Sequence, residues 1–265
     1  MAAIDCKFFS ETLGMSSSMR VLLPEPSFAD HLAGHARIER EYPVLFLLHG
    51  LSDDESAWTR YTSLERYVSK LAVAVVMPNV HRSFYSNMKH GARYWDFISE
   101  ELPYKARALF PLASARAKSY VAGLSMGGYG ALKLALRKPE SFCAAASFSG
   151  SCDLRALQER PRELALVFGD LASVASAQGD LIELAQTLAR SERTKPRIYQ
   201  CCGLEDPLLD GNRRFRDALA PLGFDLAYEE GPGAHDWAYW DRALVRALGW
   251  FGFEPRPEPT STVIL

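Results

Sequence analysis

The 265-residue sequence has little net charge, no long apolar run and no regular spacing of cysteines. Lys and Arg total 30 against 32 Asp and Glu, a formal net charge of -2, so no basic surface for nucleic acid or anionic lipid is predicted. No stretch reaches the roughly 18 uncharged apolar residues that a membrane-spanning helix needs. The opening MAAIDCKFF lacks a basic patch followed by apolar residues. We therefore expect neither an export signal nor a membrane anchor, and a cytoplasmic protein.

The number and spacing of the cysteines argue against two kinds of structural site. There are five of them, an odd number, and none stands in a CxxC pair. This spacing argues against both a disulfide framework and a zinc site. We expect most of the five to be small buried side chains. They are Cys6, Cys143, Cys152, Cys201 and Cys202.

Apolar runs of strand length alternate with helix-like stretches along most of the chain. The alternation predicts one α/β domain over residues 1–253, with a mostly parallel central sheet and helices on both faces. A helix is predicted in YWDFISEELPYKARALF. The predicted strands are two in DCKFFSETLGMSSSMRVLLP and one each in YPVLFLLH, AVAVVMPN, KSYVAG, FCAAASFSG, PRIYQCCG and FDLAYEEG.

Two segments depart from this alternation. Residues 153–195 are polar and helix-like and contain no apolar run of strand type, so we expect a helical insertion over the active site. Residues 254–265, EPRPEPTSTVIL, are rich in proline and have no periodicity. This composition predicts an extended or disordered tail.

Residues 123–127 read GLSMG, a G-x-S-x-G pattern between the strand-like SYVA and the helix-like YGALKLALRK. A turn directly from strand to helix holds its serine in a strained conformation above the sheet edge and requires small neighbours. Ser125 is therefore a candidate nucleophile. The alternative is a structural serine in a glycine-rich turn, or a phosphate-binding loop, although no Gly-Lys-Ser/Thr follows as a Walker loop requires.

A serine hydroxyl becomes a good nucleophile only beside a base that a third group orients. His235 is the only histidine after Ser125 and follows the last predicted strand. Among the carboxylates after PRIYQCCG, Asp206 is preferred as the third group because the next residue is a proline that fixes the loop. Glu205 is the alternative. Asp210 is expected to cap the following helix.

Two backbone N–H groups are candidates for stabilising an oxyanion. The N–H of Met126 lies at the start of the helix after the serine, and that of Leu51 follows the buried strand LFLLH. Gly50 would let the backbone come close to the serine. His49 precedes Ser125 and ends a buried strand, so we expect it to order the loop rather than act as a base.

Three tryptophans lie in or beside segments that should reach the site, namely Trp58, Trp95 and Trp237. They are candidates for an aromatic substrate-binding wall. Packing in the core is the alternative, and it is favoured for each of them.

Taken together, these motifs resemble the esterase D branch of the α/β-hydrolases, which holds S-formylglutathione hydrolases, tributyrin esterases and cinnamoyl or acetyl-xylan esterases. The resemblance covers nearly the whole chain. By position it implies Ser125 as nucleophile, Asp206 as acid, His235 as base, and Leu51 and Met126 as oxyanion donors. The motifs that carry it are FFSETLGMSSSMRVLLP, LLHGLSDDESAWTRYTSLERY, YWDFISEELP, GLSMGGYGALKLAL, CGLEDPLLDGNRRF and GAHDWAYWD.

Within that branch, HGLSDDESAW and CGLEDPLLDGN are more similar to the tributyrin esterases. S-formylglutathione hydrolases tend to carry a SGLTCTDENF-like segment, and here Ser52 and Asp53 stand where its threonine-cysteine pair is expected. The resemblance thus implies a serine carboxylesterase for short-chain acyl esters, with S-formylglutathione hydrolase as the alternative. A mycolyltransferase-like enzyme and a non-catalytic binding protein are less favoured, because no export signal is predicted and no member of the triad is missing.

The expected reaction is an acyl transfer to water through an acyl-enzyme. It implies no metal and no organic cofactor. The expected partner is a small-molecule ester or thioester, and the oligomeric state, a homo-oligomer included, is left open.

Overall fold

One eight-stranded sheet organises the part of the chain that the computed structural model describes, which is residues 1–26, 28, 32 and 41–256. Each predicted strand forms a strand of this sheet. The strands are β1 (Ala2–Ser10), β2 (Met15–Leu23), β3 (Val44–Leu48), β4 (Ala74–Pro78), β5 (Ser119–Leu124), β6 (Ala144–Phe148), β7 (Arg197–Gly203) and β8 (Leu226–Gly231).

The strand order is β1-β2-β4-β3-β5-β6-β7-β8. β1 pairs with β2, and β2 with β4, in antiparallel fashion, whereas every pair from β4 to β8 is parallel. The prediction of a mostly parallel sheet is therefore confirmed. Because parallel strands share their direction, the ends of β3, β5, β7 and β8 meet at one edge, where ligand sites of open α/β sheets form.

Helices cover both faces of the sheet, as expected. Those described are α1 (Ala57–Tyr61), α2 (Leu64–Val68), α3 (Tyr94–Asp96 continuing through Phe97–Glu101 and Leu102–Leu109), α4 (Met126–Arg137), α5 (Pro161–Val167), α6 (Ser173–Ser176), α7 (Leu181–Ala189), α8 (Leu209–Leu219) and α9 (Trp237–Phe251), with 3-10 turns at Arg116–Lys118, Leu154–Glu159 and Ala220–Leu222.

The alternation of side chains in β3 shows how two cores arise from one apolar run. Val44, Phe46 and Leu48 pack into a cluster with α3, α4, α7 and α8, whereas Leu45 and Leu47 pack into a cluster with α1, α2 and α9. All five residues are buried. A strand with helices on both faces has no polar side, which is why the run is continuously apolar.

The helix expected in residues 94–110 contains a feature that its sequence did not indicate, a π-helical segment at Phe97–Glu101. The last residue of that segment holds the tip of the β1–β2 hairpin. Glu101 accepts hydrogen bonds from Ser10 Oγ (2.6 Å), from the Glu11 N–H (2.8 Å) and from the Thr12 N–H (3.1 Å). These bonds keep the pKa of Glu101 at about 2, against the opposing effect of burial.

Residues 153–195 contain helical turns and no strand, and part of this segment packs on α4. The hydroxyl of Tyr129, on α4, donates to the Gly179 carbonyl at 2.8 Å. Residues 254–256 are paired with the chain near residue 71 through the bridge from Leu71 to Pro255 and the bond from Arg256 N–H to Lys70 O. The rest of the expected tail, residues 257–265, lies outside the described residues.

No helix within the described ranges is long and apolar enough to cross a bilayer.

Candidate active site

Ser125 joins β5 to α4 with a backbone that non-glycine residues rarely adopt, at φ 53° and ψ -117°. Strain of this kind persists only where neighbouring contacts fix the conformation. The Ser125 N–H donates to the Phe148 carbonyl at 2.9 Å, and the Ser125 carbonyl accepts from Ser151 N–H at 3.1 Å. The turn therefore presents the serine side chain at the carboxyl edge of the sheet.

The glycines around Ser125 are explained by backbone contacts. A Cβ on Gly123 would lie well inside 3.0 Å of the Gly127 backbone, and one on Gly127 well inside 3.0 Å of the Leu48 carbonyl oxygen. A Cβ on Gly130 would overlap the ring of Tyr85. β5, α4 and the end of β3 thus approach more closely than any side chain permits.

Three predicted residues form a continuous hydrogen-bonded chain at this edge. His235 Nε2 lies 2.9 Å from Ser125 Oγ, and His235 Nδ1 lies 2.9 Å from Asp206 Oδ2. The Asp206 side chain is fully buried, whereas 28% of the His235 side chain is exposed. With Nδ1–H donating to the carboxylate, Nε2 is free to accept the serine proton.

The environment of Asp206 keeps it ionised. Burial by itself would raise the pKa of Asp206, but the hydrogen bond and the charge of His235 lower the pKa more strongly. The Leu208 N–H adds a bond to Oδ1 at 2.8 Å. The net effect is a pKa below the usual range for aspartate, so the carboxylate remains charged beside the imidazole.

The alternative acid, Glu205, has a different partner. Its Oε2 accepts the N–H of Gly233 at 2.6 Å, and its own N–H donates to the Gly233 carbonyl at 3.1 Å. Glu205 thus ties the loop after β7 to the loop that carries His235. Asp210 was expected to cap the next helix, and that expectation is wrong: α8 begins at Leu209, so Asp210 lies inside the first turn.

Both predicted oxyanion donors lie beside Ser125. Met126 is the first residue of α4, where the N–H has no partner within the helix. A Cβ on Gly50 would be 3.9 Å from Ser125 Cβ, which brings the loop containing Leu51 next to the serine. Among the hydrogen bonds of the described residues, neither the Leu51 nor the Met126 N–H is a donor. Both remain available for a ligand oxygen.

His49 orders the loop that carries Leu51. It is 1% exposed, its Nδ1 lies 2.7 Å from the Gly50 carbonyl, and its Nε2 accepts the Val80 N–H at 3.1 Å. Burial lowers the pKa of His49 to about 4, which keeps the ring neutral and able to accept at Nε2. The Tyr85 hydroxyl donates to the His49 carbonyl at 2.9 Å and holds the same loop through a second bond.

The three predicted tryptophans occupy different environments. Trp58 is fully buried and donates its indole N–H to the Leu48 carbonyl at 3.0 Å. Trp95 packs under Arg137, whose guanidinium carbon lies 3.7 Å from the ring centre, so it lies against the C-terminal end of α4, away from Ser125 at the other end of that helix. Trp237 is partly exposed and stacks on Tyr61 at 4.9 Å. Of the three, only Trp237 offers a partly exposed indole.

The tryptophan that contacts the candidate base was not predicted. Trp240 packs edge-to-face on the His235 imidazole, with centroids 4.9 Å apart and planes at 89°. It is 5% exposed. Its place as the fourth residue of α9 is the signal that could have found it, because that residue often packs against the one before the N-cap, here His235.

A buried amide pair supports the loop behind Ser125 and was also missed. Gln200 Nε2 donates to Asn212 Oδ1 at 2.9 Å, and Asn212 Nδ2 donates to the Gly150 carbonyl at 2.9 Å. Both side chains are fully buried. Together they connect β7 and α8 to the loop whose Ser151 N–H binds the Ser125 carbonyl. A glutamine inside an otherwise apolar strand is the one signal that the sequence offers for this network.

The arrangement can move a proton from Ser125 Oγ to His235 and can hold a developing oxyanion between two N–H groups. In residues 1–26, 28, 32 and 41–256, no group of three or more His, Cys, Asp or Glu side chains is arranged to hold a metal ion.

Comparison with known proteins agrees with this chemistry. A family model described as a putative esterase matches residues 10–251. An acetyl esterase from Caldicellulosiruptor saccharolyticus is 28% identical over 261 residues, which cover 94% of this chain and 98% of that protein.

Two solved structures from Staphylococcus aureus are similar over the same extent. FphF, a fluorophosphonate-binding serine hydrolase with substrate bound, is 36% identical with a TM-score of 0.86, covering 94% of this chain and 98% of its own. An S-formylglutathione hydrolase, FrmB, as the apoenzyme, is 36% identical with a TM-score of 0.84 and the same coverage.

Proposed function

Because the chain belongs to the putative esterase family and is an ester hydrolase, we propose that it is a serine carboxylesterase for short-chain acyl esters. Ser125 is the nucleophile, His235 the general base and acid, and Asp206 the carboxylate that orients His235. The observation that carries this proposal is the unbroken chain Ser125 Oγ, His235 Nε2, His235 Nδ1 and Asp206 Oδ2, with 2.9 Å at each hydrogen bond.

In the first half of the reaction, His235 Nε2 takes the proton of Ser125 Oγ as that oxygen forms a bond to the ester carbonyl carbon. The carbonyl electrons move to its oxygen, which the Leu51 and Met126 N–H groups stabilise. The tetrahedral intermediate then collapses, the bond to the alcohol oxygen breaks, and His235 gives its proton to the departing alcohol. The acyl group remains on Ser125.

In the second half, water replaces the alcohol. His235 Nε2 takes one proton from water while its oxygen attacks the acyl carbon, and the same proton returns to Ser125 Oγ as the acid leaves. Asp206 stays ionised throughout and stabilises the imidazolium. Because its pKa is lowered below the usual value, this role is available over the whole neutral range.

The preference for short acyl groups is supported by the acetyl esterase that is 28% identical over 94% of this chain and by the tributyrin-esterase-like segment HGLSDDESAW. The second candidate is thioester hydrolysis, favoured by 36% identity to FrmB, described as an S-formylglutathione hydrolase. Both substrates require the same nucleophile and oxyanion donors. They differ in the leaving group, which is an alcohol in one and a thiol in the other.

The test is steady-state hydrolysis of p-nitrophenyl acetate, butyrate and octanoate, and of S-formylglutathione, by wild type and by Ser125→Ala. We expect the acetate and butyrate to be the best substrates and Ser125→Ala to be inactive. A strong preference for the thioester would replace the proposal by the second candidate. Full activity of a folded Ser125→Ala variant would overturn both.

A further inference from the structure

A cavity of about 260 Å³ lies between the loop after β6, α8 and the chain at 171–182. A second cavity of about 210 Å³ adjoins it. The two share Cys152, Asp153, Gly211 and Arg214 as lining residues. Neither was predicted, since the walls come from three segments far apart in the sequence.

The second cavity is lined by residues that are sequence neighbours of Asp206 and of the loop bonded to Ser125. Gly150 lines the second cavity, and the next residue, Ser151, donates its N–H to the Ser125 carbonyl at 3.1 Å. Pro207 and Leu208 also line it and directly follow Asp206. The second cavity therefore lies beside the loop that contacts the Ser125 main chain and beside the loop that carries Asp206.

The walls of the larger cavity are apolar inside and charged at one side. Leu154 and Val174 are each 6% exposed and line it together with Leu171 and Ile182. Such a lining favours a short aliphatic or aryl group. The charged side is formed by Arg155, in the turn after β6, and Arg214, on α8.

One carboxylate holds both arginines. Asp153 Oδ2 accepts from Arg155 Nη2 at 2.7 Å and from Arg214 Nη2 at 2.6 Å, and the Nε atoms of both arginines also bond to Asp153. The Asp153 side chain is 15% exposed, whereas those of Arg155 and Arg214 are 69% and 50% exposed. The carboxylate is thus the buried centre, and the guanidinium groups face outward.

This cluster leaves guanidinium donors free. The Nη1 groups of Arg155 and Arg214 make no hydrogen bond among the described residues. Its own net charge of +1, from two cations and one anion, is offset by Asp180, which lines the same cavity and attracts Arg155, so recognition rests on these donors. The other two carboxylates that line the cavities have their own partners. Asp180 accepts from Ile182 and Glu183 N–H groups, and Asp210 lies 4.0 Å from Arg213.

We propose that Arg155 and Arg214 form a subsite for a carboxylate carried by the ester substrate, with its short carbon chain in the apolar part of the cavity. The substrate class is thus a short ester that carries a free carboxylate. The carboxylate is either on the acyl group, as in a half-ester of a dicarboxylic acid, or on the alcohol. Two guanidinium groups held in fixed orientation match a carboxylate better than two mobile cations do. This inference rests on the proposed esterase function and names its substrate class.

The kinetic test compares three substrates of similar size: neutral p-nitrophenyl butyrate, mono-p-nitrophenyl glutarate with the charge on the acyl side, and 4-(butyryloxy)benzoate with the charge on the alcohol side. Variants are Arg155→Gln, Arg214→Gln and the control Arg193→Gln, whose side chain pairs with Glu140, and neither residue lines either cavity. We expect wild type to have a lower KM for one of the two charged substrates than for p-nitrophenyl butyrate. Arg155→Gln or Arg214→Gln should raise the KM for that charged substrate roughly tenfold, since hydrogen bonds to charged groups are lost.

In the same variants kcat and KM for p-nitrophenyl butyrate should stay within about twofold, and Arg193→Gln should match wild type for all three substrates. An equal loss toward neutral and charged substrates would assign a structural role to the arginines and overturn the proposal. The absence of a charged preference in wild type would overturn it too. The charged substrate whose KM rises in the Arg155 and Arg214 variants identifies whether the acyl side or the alcohol side of the ester enters the cavity.

A binding measurement separates this inference from the proposed chemistry. Calorimetric titration of Ser125→Ala with monomethyl glutarate and with neutral methyl butyrate needs no turnover. Tighter binding of the monoanion, lost in Ser125→Ala/Arg214→Gln and weakened by salt, supports the subsite even if none of the esters is hydrolysed. Equal binding of the two compounds refutes it even if the esterase activity is established.

Discussion

Gly203, at the end of β7, is in backbone contact with Gly233, because a Cβ on Gly203 would overlap the Gly233 carbonyl oxygen. This contact brings the loop of Asp206 against the loop of His235. The Leu204 N–H donates to the Gly231 carbonyl at 2.9 Å and strengthens the same junction. The loops of the candidate acid and base are thus aligned by main-chain contacts, which place the two side chains for their own 2.9 Å bond.

The two neighbouring carboxylates at this junction should respond differently to loss of charge. Asp206→Asn should lower kcat by about 10³- to 10⁴-fold, because an amide neither holds the required tautomer nor stabilises the imidazolium. Glu205→Gln, which can still accept the Gly233 N–H, should keep kcat within about threefold. The measurement is kcat for p-nitrophenyl butyrate at pH 7.5, with circular dichroism to verify folding. A larger loss in Glu205→Gln would transfer the orienting role to Glu205.

Glycine-to-alanine changes at two helical positions should have opposite signs. Gly127→Ala should destabilise the protein by about 3 kcal/mol or more, because its Cβ would overlap the Leu48 carbonyl oxygen, a backbone atom that cannot rotate away. Gly249→Ala should stabilise it by about 0.5–1 kcal/mol, since no heavy atom lies within 4 Å of its Cβ in α9. Urea unfolding measures both, and a neutral Gly127→Ala would contradict the close approach.

Acid should reduce stability through His49. Its pKa in the folded protein is about 4 because of burial, against about 6.5 in the unfolded chain. Between these values the unfolded state binds more protons than the folded state. The contribution of His49 to the free energy of unfolding therefore has its full value above pH 6.5 and decreases as the pH falls toward 4. The loss from this group is on the order of 3 kcal/mol.

Unfolding titrations from pH 7.5 to 4 for wild type and His49→Gln would measure that contribution. The variant should be less stable at pH 7.5, since a fixed ring acceptor for the Val80 N–H is lost, but its stability should depend less on pH. Parallel curves for the two proteins would show that His49 is not the titrating group.

Substitutions of two predicted tryptophans should affect different properties, one the stability of the protein and the other the binding of substrate. Trp95→Phe should leave KM for aryl esters unchanged and lower stability by about 1–2 kcal/mol, because the indole packs under Arg137. Trp237→Ala should raise KM for aryl esters several-fold, because its partly exposed ring adjoins Trp240, which contacts His235. KM and urea unfolding of both variants provide the check. A raised KM in Trp95→Phe alone would reverse these assignments.

The strands and the order of the site residues were predictable because each depends on local pattern. β3 is a continuous apolar run since both of its faces are buried, and the glycines next to Ser125 report a close backbone approach that no other residue allows. The π-helical segment at Phe97–Glu101 was not predictable, because its residues satisfy the ordinary helical pattern equally well.

What the sequence could not predict depends on contacts between distant segments. Arg214 reaches Asp153 across 61 positions, and neither residue stands in a recognisable motif. The error at Asp210 has a local cause: Asp206 itself accepts the Leu208 N–H at 2.8 Å, which starts the helix one residue before Asp210. The carboxylate that orients His235 therefore also holds the turn that leads into α8, whose N-cap, Leu208, makes no capping bond with its side chain.

The crossover between β6 and β7 carries most of the proposed specificity, because residues 153–182 supply eight of the eleven residues that line the larger cavity. Ser125, Asp206 and His235 lie outside this stretch. Substitutions in that stretch change the shape and charge of the bound ester and leave the path of the proton intact. Over evolutionary time, such a chain can acquire new substrates by altering one contiguous segment while its reaction stays constant.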